Sequence, residues 1–530
     1  MMIRIRDISM ETRHNVDQLV FEAAKLLRVS ASKIRKLTIA RRSIDARKKL
    51  DVRIIYTVDV AVEGSENKIL KQSGCKKAAI INSEFYRVPK ASYATEKRPI
   101  VVGFGPAGMF AALVLAMAGL RPIVLERGED AATRHEKVQR FFATGQLDER
   151  SNVQFGEGGA GTFSDGKLNT GVNNIRIGWV LEQFVKFGAR ENILYDAKPH
   201  IGTDILLEVV QNLRRRIIEL GGEVRFATKL TEIHIRDGQV HAVQTEAGEI
   251  LPCDDLILAI GHSARDTFLM LHEMGVPMEP KPFAMGVRIE HKQSMIDRAQ
   301  YGSDSLPLPP ADYKLVKHLD DGTVYSFCMC PGGYVVAAAS EEGGVVTNGM
   351  SYADRDGENA NAALLVSLNP EDFPYEGVLG GMRWQQELER KAYAASGSYR
   401  APAQTVGDFL SGKPSSGCAD VEPTYRPGVH WCDLHDVLPV KITAALEEAL
   451  PQLDRNLSGF SHPGAVLTAP ETRSSSPVRI LRDGERQSAI RGLYPAGEGA
   501  GYAGGIMSAA VDGIMTAEAV IAAGEVRYGG

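Results

Sequence analysis

Cysteine is scarce in this sequence, with six in 530 residues: Cys75, Cys253, Cys328, Cys330, Cys418 and Cys432. That is too few for the disulfide framework of a secreted scaffold, and none has the C-x-x-C spacing of a zinc or iron–sulfur site, so no metal is expected. No stretch reaches the roughly 18 uninterrupted apolar residues of a membrane span. The opening Met-Met-Ile-Arg-Ile-Arg-Asp also lacks the apolar h-region of a signal peptide. A cytoplasmic protein without a membrane partner is the expectation. G-K-[ST] is missing as well, which excludes a P-loop. What is present is an ordinary globular composition, 44% hydrophobic and 24% charged, enough for about two to four domains.

The net charge of −5 hides an asymmetry. Residues 1–95 hold 20 Lys and Arg against 10 Asp and Glu, while the remainder holds 41 against 56. This basic segment reads as a small α+β module. It has strands at Ile3 to Ile5, Ile39 to Ile44 and Val52 to Val62, and an amphipathic helix over Asn15 to Leu27. Its basic run from Lys33 to Lys49 is either a solvated face or a contact for RNA or another acidic partner.

The strongest local signal lies between Arg98 and Glu126. Ile100 to Val102 is a β-branched run, followed by Gly103, Gly105 and Gly108 in G-x-G-x-x-G spacing, with Pro106 and Ala107 between the last two glycines. Gly103 permits the tight turn, Gly105 lets backbone approach a pyrophosphate, and Gly108 lets the helix over Met109 to Ala118 pack on the strand. The phosphates would sit at that helix's N-terminus. Ile123 to Leu125 forms a second strand, ending in Glu126 and Arg127. An acid at that point accepts from ribose hydroxyls and repels a 2′-phosphate, which selects FAD or NAD over NADP as the resident nucleotide.

A second glycine-rich loop runs from Phe155 to Thr170. It contains Gly158, Gly159, Thr162 and Ser164, whose neighbourhood offers backbone N–H groups to a ligand. A helix near Asp204 to Leu220, a strand at Glu223 to Phe226 and a three-stranded meander (Ile233 to Ile235, Val240 to Thr245, Ile250 to Leu251) follow. Asp255 to Ile260 is then a buried strand ending at Gly261. Residues 266–465 differ in character. They contain strands at Met285 to Ile289, Val324 to Met329 and Tyr334 to Ala339 and long helices at Met382 to Ala395 and Val440 to Leu450. The chain then returns to a strand, the turn Gly497-Glu498, and an Ala-rich helix that begins after Gly505 at Ile506. A nucleotide contacted from segments so far apart in sequence is the longer FAD rather than NAD. With no second G-x-G-x-x-G in the chain, NADH or NADPH could dock only transiently, as a reductant.

In these segments the chain resembles the glutathione-reductase-like flavoproteins with two dinucleotide-binding folds. More narrowly, through Phe155 to Thr170, Gly261 to Asp266, Glu471 to Arg479 and Tyr494 to Ile506, it resembles an uncharacterised family of bacterial FAD-dependent dehydrogenases. The resemblance implies an α/β chain with a Rossmann FAD-binding domain (96–265 and 466–530), an inserted α+β substrate domain (266–465) and the N-terminal module (1–95). It also implies redox chemistry without fixing a substrate. In Gly497-Glu498 the chain has Glu where that class has Asp, with a ribitol hydroxyl still in reach.

For chemistry at the flavin, Cys328 and Cys330 are the candidates. They are expected to point apart and not to pair with each other, and one of them to face the ring as nucleophile or thiol donor. The alternative is a buried small hydrophobe beside a Pro-Gly-Gly turn. Arg288, Glu290 and His291 could line a substrate cavity, and Arg473 and Arg479 would suit an anionic substrate. Three functions stay open: an FAD-dependent oxidoreductase acting on a small molecule, a flavoprotein that binds or modifies RNA through the basic module, and a flavin-binding protein without turnover.

Overall fold

The computed structural model describes residues 2–82, 84–171 and 173–529. Among them, the strands assemble into sheets of four, three, five and seven strands and two further pairs. The four-stranded sheet belongs to the N-terminal module. Its elements run Met2–Glu11, helix Gln18–Leu27, Ile34–Asp45, Arg53–Val62, helix Glu66–Ser73 and Ala78–Ile81, a β-α-β-β-α-β order with every pairing antiparallel. Alternation decides its faces. Tyr56, Val58, Val60 and Val62 are buried with Ile3 and Ile5 against Leu19, Ala23 and Leu27 of the first helix. In the basic run, Arg42 makes a bidentate pair with Asp196 at 2.7 and 2.9 Å, which joins the module to the body. Arg35 and Arg47 pair with Glu63 and Asp45.

The five-stranded sheet is parallel throughout. Its order is Leu493–Pro495, Leu256–Leu258, Ile100–Val102, Ile123–Leu125, Glu223–Arg225. The middle strands are fully buried, as continuous apolar runs in a parallel sheet require. Helix Pro106–Met117 covers them, buried from Ala107 to Ala116. Helix Ile506–Tyr528 lies against it so closely that a Cβ on Gly513 would stand 2.1 Å from the carbonyl oxygen of Ala107. This last helix is long and apolar enough to cross a membrane by composition, but 67% of its apolar window is buried inside the protein. The three-stranded meander (Leu230–Arg236, Gln239–Thr245, Ile250–Pro252) sits at the expected place.

The seven-stranded sheet carries the second core. Its order is Val316–Leu319, Gly322–Cys330, Asn359–Leu368, Phe283–Lys292, Val466–Glu471, Ala401–Thr405, Val429–Trp431. Helices Gln293–Tyr301 and Val440–Asp454 pack on it through Ile296, Ile442, Leu446 and Leu450. The pair Tyr334–Ala337 and Thr347–Met350 and helix Gly380–Ser396 complete this lobe. Two strands carry no clear sequence signal. Asn359–Leu368 is buried at nearly every position and rich in Ala and Leu, so it shows no alternation. Val466–Glu471 lies beyond residue 465 yet pairs inside this sheet.

Candidate functional site

Two helices begin at one cavity. Pro106–Met117 follows Gly105, Ile506–Tyr528 follows Gly505, and neither has a side-chain cap among the described residues. Their first N–H groups therefore have no partner within the helix, and the positive dipole ends point where an anion would bind. The cavity is about 730 Å3 and is lined here by Gly103, Gly105, Pro106, Ala107, Gly505 and Ile506. A volume of this order suits a cofactor-sized ligand. The nearest protein atom to a Cβ on Gly105 would be 3.6 Å away, so the protein itself does not demand glycine there. The second loop does demand one. Gly159 has φ +60°, and its Cβ would stand 2.9 Å from the Gly105 Cα, so the two glycine turns touch backbone to backbone beside the cavity.

Glu126 and Arg127 line the adenine-side end expected from sequence. The Glu126 carboxylate also organises the loops: Oε1 accepts from the Gly128 and Gly156 N–H groups (2.9 and 3.0 Å), and Oε2 accepts from Phe104 N–H at 2.7 Å. A carboxylate has about four acceptor positions, which leaves one for a ribose hydroxyl. Arg127 bonds Asp266 at 2.9 Å and stacks over Phe155. Arg134, which no motif marks, is fully buried and donates to the carbonyls of Asn152, Val153 and Glu157 (2.6 to 2.9 Å), fixing the second loop.

Ser164, Gly261 and Glu498 also reach the cavity. Burial pushes the Glu498 carboxyl up to about 7. Four sequence-selected residues stand behind the lining. Gly108 holds the helix on its strand, where a Cβ would be 1.9 Å from Gly103 O. Thr162 donates to Glu157 O and would clash with any side chain at Gly158. Gly497 donates to Asp512 at 2.7 Å.

The far end of the cavity is built by the seven-stranded lobe, through Phe327, Cys328, Asn348, Glu471, Arg473 and Ser474, with Lys167 from the second glycine loop. The ladder between Gly322–Cys330 and Asn359–Leu368 shifts register between Phe327 and Cys330, and Cys328 takes φ +42°. A left-handed non-glycine residue of this kind is uncommon and marks a position held by its surroundings. The Cys328 carbonyl accepts from Arg288 Nη1 at 2.9 Å and from the Cys330 thiol at 3.3 Å.

The expectation that the two thiols point apart is corrected here. Residues two apart on a regular strand share a face, so the spacing gives no reason for them to point apart. The neighbouring Cys330 thiol, with Lys167 and Arg288 nearby, lowers the Cys328 pKa against the effect of burial, while Cys328 and burial raise that of Cys330. Cys328 lines the cavity, whereas Cys330 is wholly buried behind it.

Charges around the pair are fixed. Lys167 pairs with Asp165 at 2.6 Å, and Asp165 is further held by Arg355 and Ser351. Arg288, fully buried, bonds Glu471 Oε2 at 3.1 Å and Asn348 at 3.1 Å. Burial pushes the Glu471 carboxyl up to about 7, although Arg288 pulls it down. Of the three strand residues read as cavity-lining, only Arg288 touches this cluster. Glu290 accepts from Thr424 and Asn359, and His291 bonds the Phe460 carbonyl. Arg473 lines the cavity, but Glu389 and Ser340 occupy its guanidinium, and Arg479 pairs with Glu279. Arg473 thus meets its carboxylate within the protein, and Arg479 is not among the residues that line the cavity. His262, also in the lining, has its pKa pushed down to about 3 by burial and by Arg473 and Arg265, so it is neutral. Sequence reasoning singled out none of Lys167, Asn348 and Glu471, although Lys167 lies in the second glycine loop and Glu471 opens the Glu471 to Arg479 segment.

Residues 282–474 match the family described as FAD-dependent protein, C-terminal domain-like, and residues 2–61 match a domain family of unknown function. Over 531 aligned residues the chain is 46% identical to an uncharacterised protein of Clostridium beijerinckii, covering 98% of this chain and 99% of that one. The chain belongs to this FAD-dependent family. FAD is its cofactor. The flavoprotein is also 26% identical to protein FixC of Azorhizobium caulinodans over 327 residues, 58% of this chain and 67% of that one. Among solved structures, CtdE in complex with FAD aligns at 12% identity over 82% of this chain and 90% of that one, with TM-score 0.33. The flavin-dependent brominase Bmp2 aligns at 13% over 80% and 79%, with TM-score 0.38.

Proposed function

We propose that this flavoprotein is an FAD-dependent oxidoreductase of glutathione-reductase-like design. In this reading the five-stranded lobe carries the cofactor and the inserted lobe carries the substrate side of the reaction, with the N-terminal module outside both. Bound FAD supplies two-electron redox chemistry. Glu126 and Arg127 would hold the adenosine half, the helix starts at Pro106 and Ile506 would face the pyrophosphate, and Glu498 would reach a ribitol hydroxyl. The observation that carries the reading is the far end of the cavity, where Cys328, Lys167 and Glu471 converge from three separate segments. A purely structural flavin site has no use for a cation-flanked thiol beside a carboxyl that titrates near neutrality. Cys328 would meet the substrate, Lys167 would hold negative charge on that sulfur, and Glu471 would give or take a proton. The low pKa of His262 keeps it uncharged and unsuited to the role of a cation in the site. A small molecule fits the remaining space better than a polymer, because the cluster lies inside a cavity rather than on a face.

The test is the absorbance spectrum of the purified protein, followed by anaerobic titration with NADH, NADPH and a panel of small-molecule donors. Bleaching of the flavin by one of them is expected. A bound flavin that none of them reduces would overturn the reading.

A further inference from the structure

Resting on the oxidoreductase reading, we propose that the substrate is a small organic acid whose carboxylate is bound by Lys314 and whose apolar body lies on Phe327. Charge decides the class. Four side chains of the cavity lining, Arg127, Lys167, Lys314 and Arg473, are cations. Three of them meet carboxylates within the protein: Arg127 bonds Asp266, Lys167 bonds Asp165 and Arg473 bonds Glu389. Lys314 has no hydrogen-bond or ion-pair partner among the described residues. A molecule that fills the cavity strips water from this ammonium and has to supply negative charge in its place.

The fold fixes where this lysine stands. The Ser326 N–H donates to the Leu315 carbonyl at 2.9 Å, and the Leu315 N–H donates to Ser326 Oγ at 2.8 Å. These bonds extend the ladder in which Val316 faces Tyr325, and two steps beyond that pair Lys314 comes across from Phe327. Cross-strand partners share one face of a sheet. Tyr313 and Leu315 on either side of the lysine are buried, whereas Lys314 is exposed and Phe327 is 37% exposed. Both line the cavity, next to Cys328. An ammonium beside an open aromatic ring matches a molecule with one anionic end and one apolar end.

Asn348 adds direction. Its Oδ1 accepts from Arg288 Nη2 at 3.1 Å and from the Gly349 N–H at 2.8 Å. A guanidinium only donates, so the oxygen must face it and the amide cannot turn over. The Asn348 NH2 group is left without a partner among the described residues, on a side chain that lines the cavity. Its two donors suit a further oxygen of the acid and give nothing to an amine. The acids of the lining do not favour a cation either. Glu126 accepts from three backbone N–H groups, and Glu471 is bonded by Arg288 and Thr347. Glu498 remains, and burial raises its carboxyl to about 7, which leaves it only partly charged at neutral pH.

The experiment uses the full-length protein with FAD bound and oxidised. Hexanoate and phenylacetate are titrated while the flavin absorbance is recorded, beside their neutral amides, hexanamide and phenylacetamide. At least one acid should give a saturable spectral change, with an affinity about tenfold or more above that of its amide. Lys314→Gln should weaken acid binding by about tenfold, leave amide binding unchanged and keep its FAD, and Lys314→Arg should restore the acid. Equal affinity for acid and amide, or no saturable change with either acid, would overturn the proposal, and these results come from wild-type protein alone. An acid affinity that Lys314→Gln leaves alone would overturn it too, as would loss of FAD from a folded Lys314→Gln, which would mark the lysine as a ligand of the cofactor. The two readings fail separately, because binding is read in the oxidised protein without turnover. Acid binding beside a flavin that no donor reduces refutes the oxidoreductase reading alone, and a donor-reducible flavin without preference for the acid refutes the Lys314 site alone.

Discussion

Replacing Glu389 with Ala removes the centre of a buried ion cluster that joins the two lobes. Glu389 is 1% exposed, and its carboxylate accepts five hydrogen bonds: two from Arg265 (2.8 Å each), two from Arg473 (3.0 and 2.8 Å) and one from Thr472 (2.7 Å). Breaking a buried pair from one side costs about 3 to 5 kcal/mol, because the partner's charge stays buried. Here two guanidiniums are stranded, although Arg265 keeps Glu341 and Arg473 keeps Ser340. The better helix propensity of Ala returns less than about 1 kcal/mol. A net loss of about 4 kcal/mol follows, or roughly a thousandfold in the local equilibrium. The chain has several cores, so one global unfolding energy is not defined. The assay is therefore hydrogen exchange over Gly380–Ser396 together with the affinity for FAD, since Arg473 and Ser474 line the cavity. Protection should collapse there and FAD should bind more weakly.

The same site predicts an acid response. Burial alone would raise the Glu389 carboxyl, but Arg265 and Arg473 hold it well below the usual carboxylate range. Its contribution is complete above the ordinary carboxylate pKa and is lost as pH falls below that value toward the depressed one. Glu389→Gln, which keeps some of the hydrogen bonds without the charge, should remove that acid sensitivity. A loss under about 1 kcal/mol in Glu389→Ala, with unchanged FAD affinity, would refute the assignment of Glu389 as the joint between lobes.

Three further outcomes are expected. Gly159→Ala puts a Cβ 2.9 Å from the Gly105 Cα at a residue with φ +60°. It should cost about 1 to 3 kcal/mol and lower the FAD-to-protein ratio measured by absorbance, whereas full occupancy would show that the two turns can part without harm. The fold favours the neutral acid of Glu471, so its contribution is complete below the ordinary carboxylate pKa and lost as pH rises through about 7. Relative to wild type, Glu471→Gln should gain melting temperature on going from about pH 5 to about pH 8, and parallel curves would count against a titrating Glu471. Arg42→Ala removes a bidentate pair that is about one-third exposed on the Arg side and joins the N-terminal module to the body. Such pairs contribute about 0.2 to 1 kcal/mol, so faster release of the N-terminal module by limited proteolysis is expected with flavin binding unchanged.

The adenine side of the site was legible in sequence because its work is done by backbone. A strand, a turn with three glycines and a helix start are local, and their spacing alone points to Gly103 and Gly105 beside an anion and to Glu126 beside a ribose. The sequence could not show that Glu126 ties three loops together, since Phe104, Gly128 and Gly156 meet it only in the fold. The far end was opaque for the same reason in stronger form. Lys167, Cys328, Asn348 and Glu471 come from different strands and loops, and no spacing relates them. Asn359–Leu368 reads as featureless because both of its faces are covered, which erases the alternation that marks a half-buried strand. The relation of Cys328 to Cys330 was open to simple geometry, because residues two apart on a regular strand share a face, but the bulge beside the cavity-lining Cys328 leaves no trace in composition.

This division has a consequence for where specificity resides. Backbone N–H groups at the two helix starts suit a pyrophosphate in any protein that presents them, so the cofactor end constrains the glycines and the residues that hold their loops, Glu126 and Arg134. Apart from Lys167, the far end is made of side chains on the second lobe, which Glu389 and its two arginines tie to helix Arg265–Glu273. A change at Phe327, Asn348 or Lys314 can alter what enters without disturbing FAD, because each lines the cavity and none is part of the glycine turns. A change at Arg265 or Arg473 is expected to disturb both, because it breaks that tie. Substrate-altering variants are therefore expected at the first group of positions, and variants at the second should lose flavin affinity and turnover together.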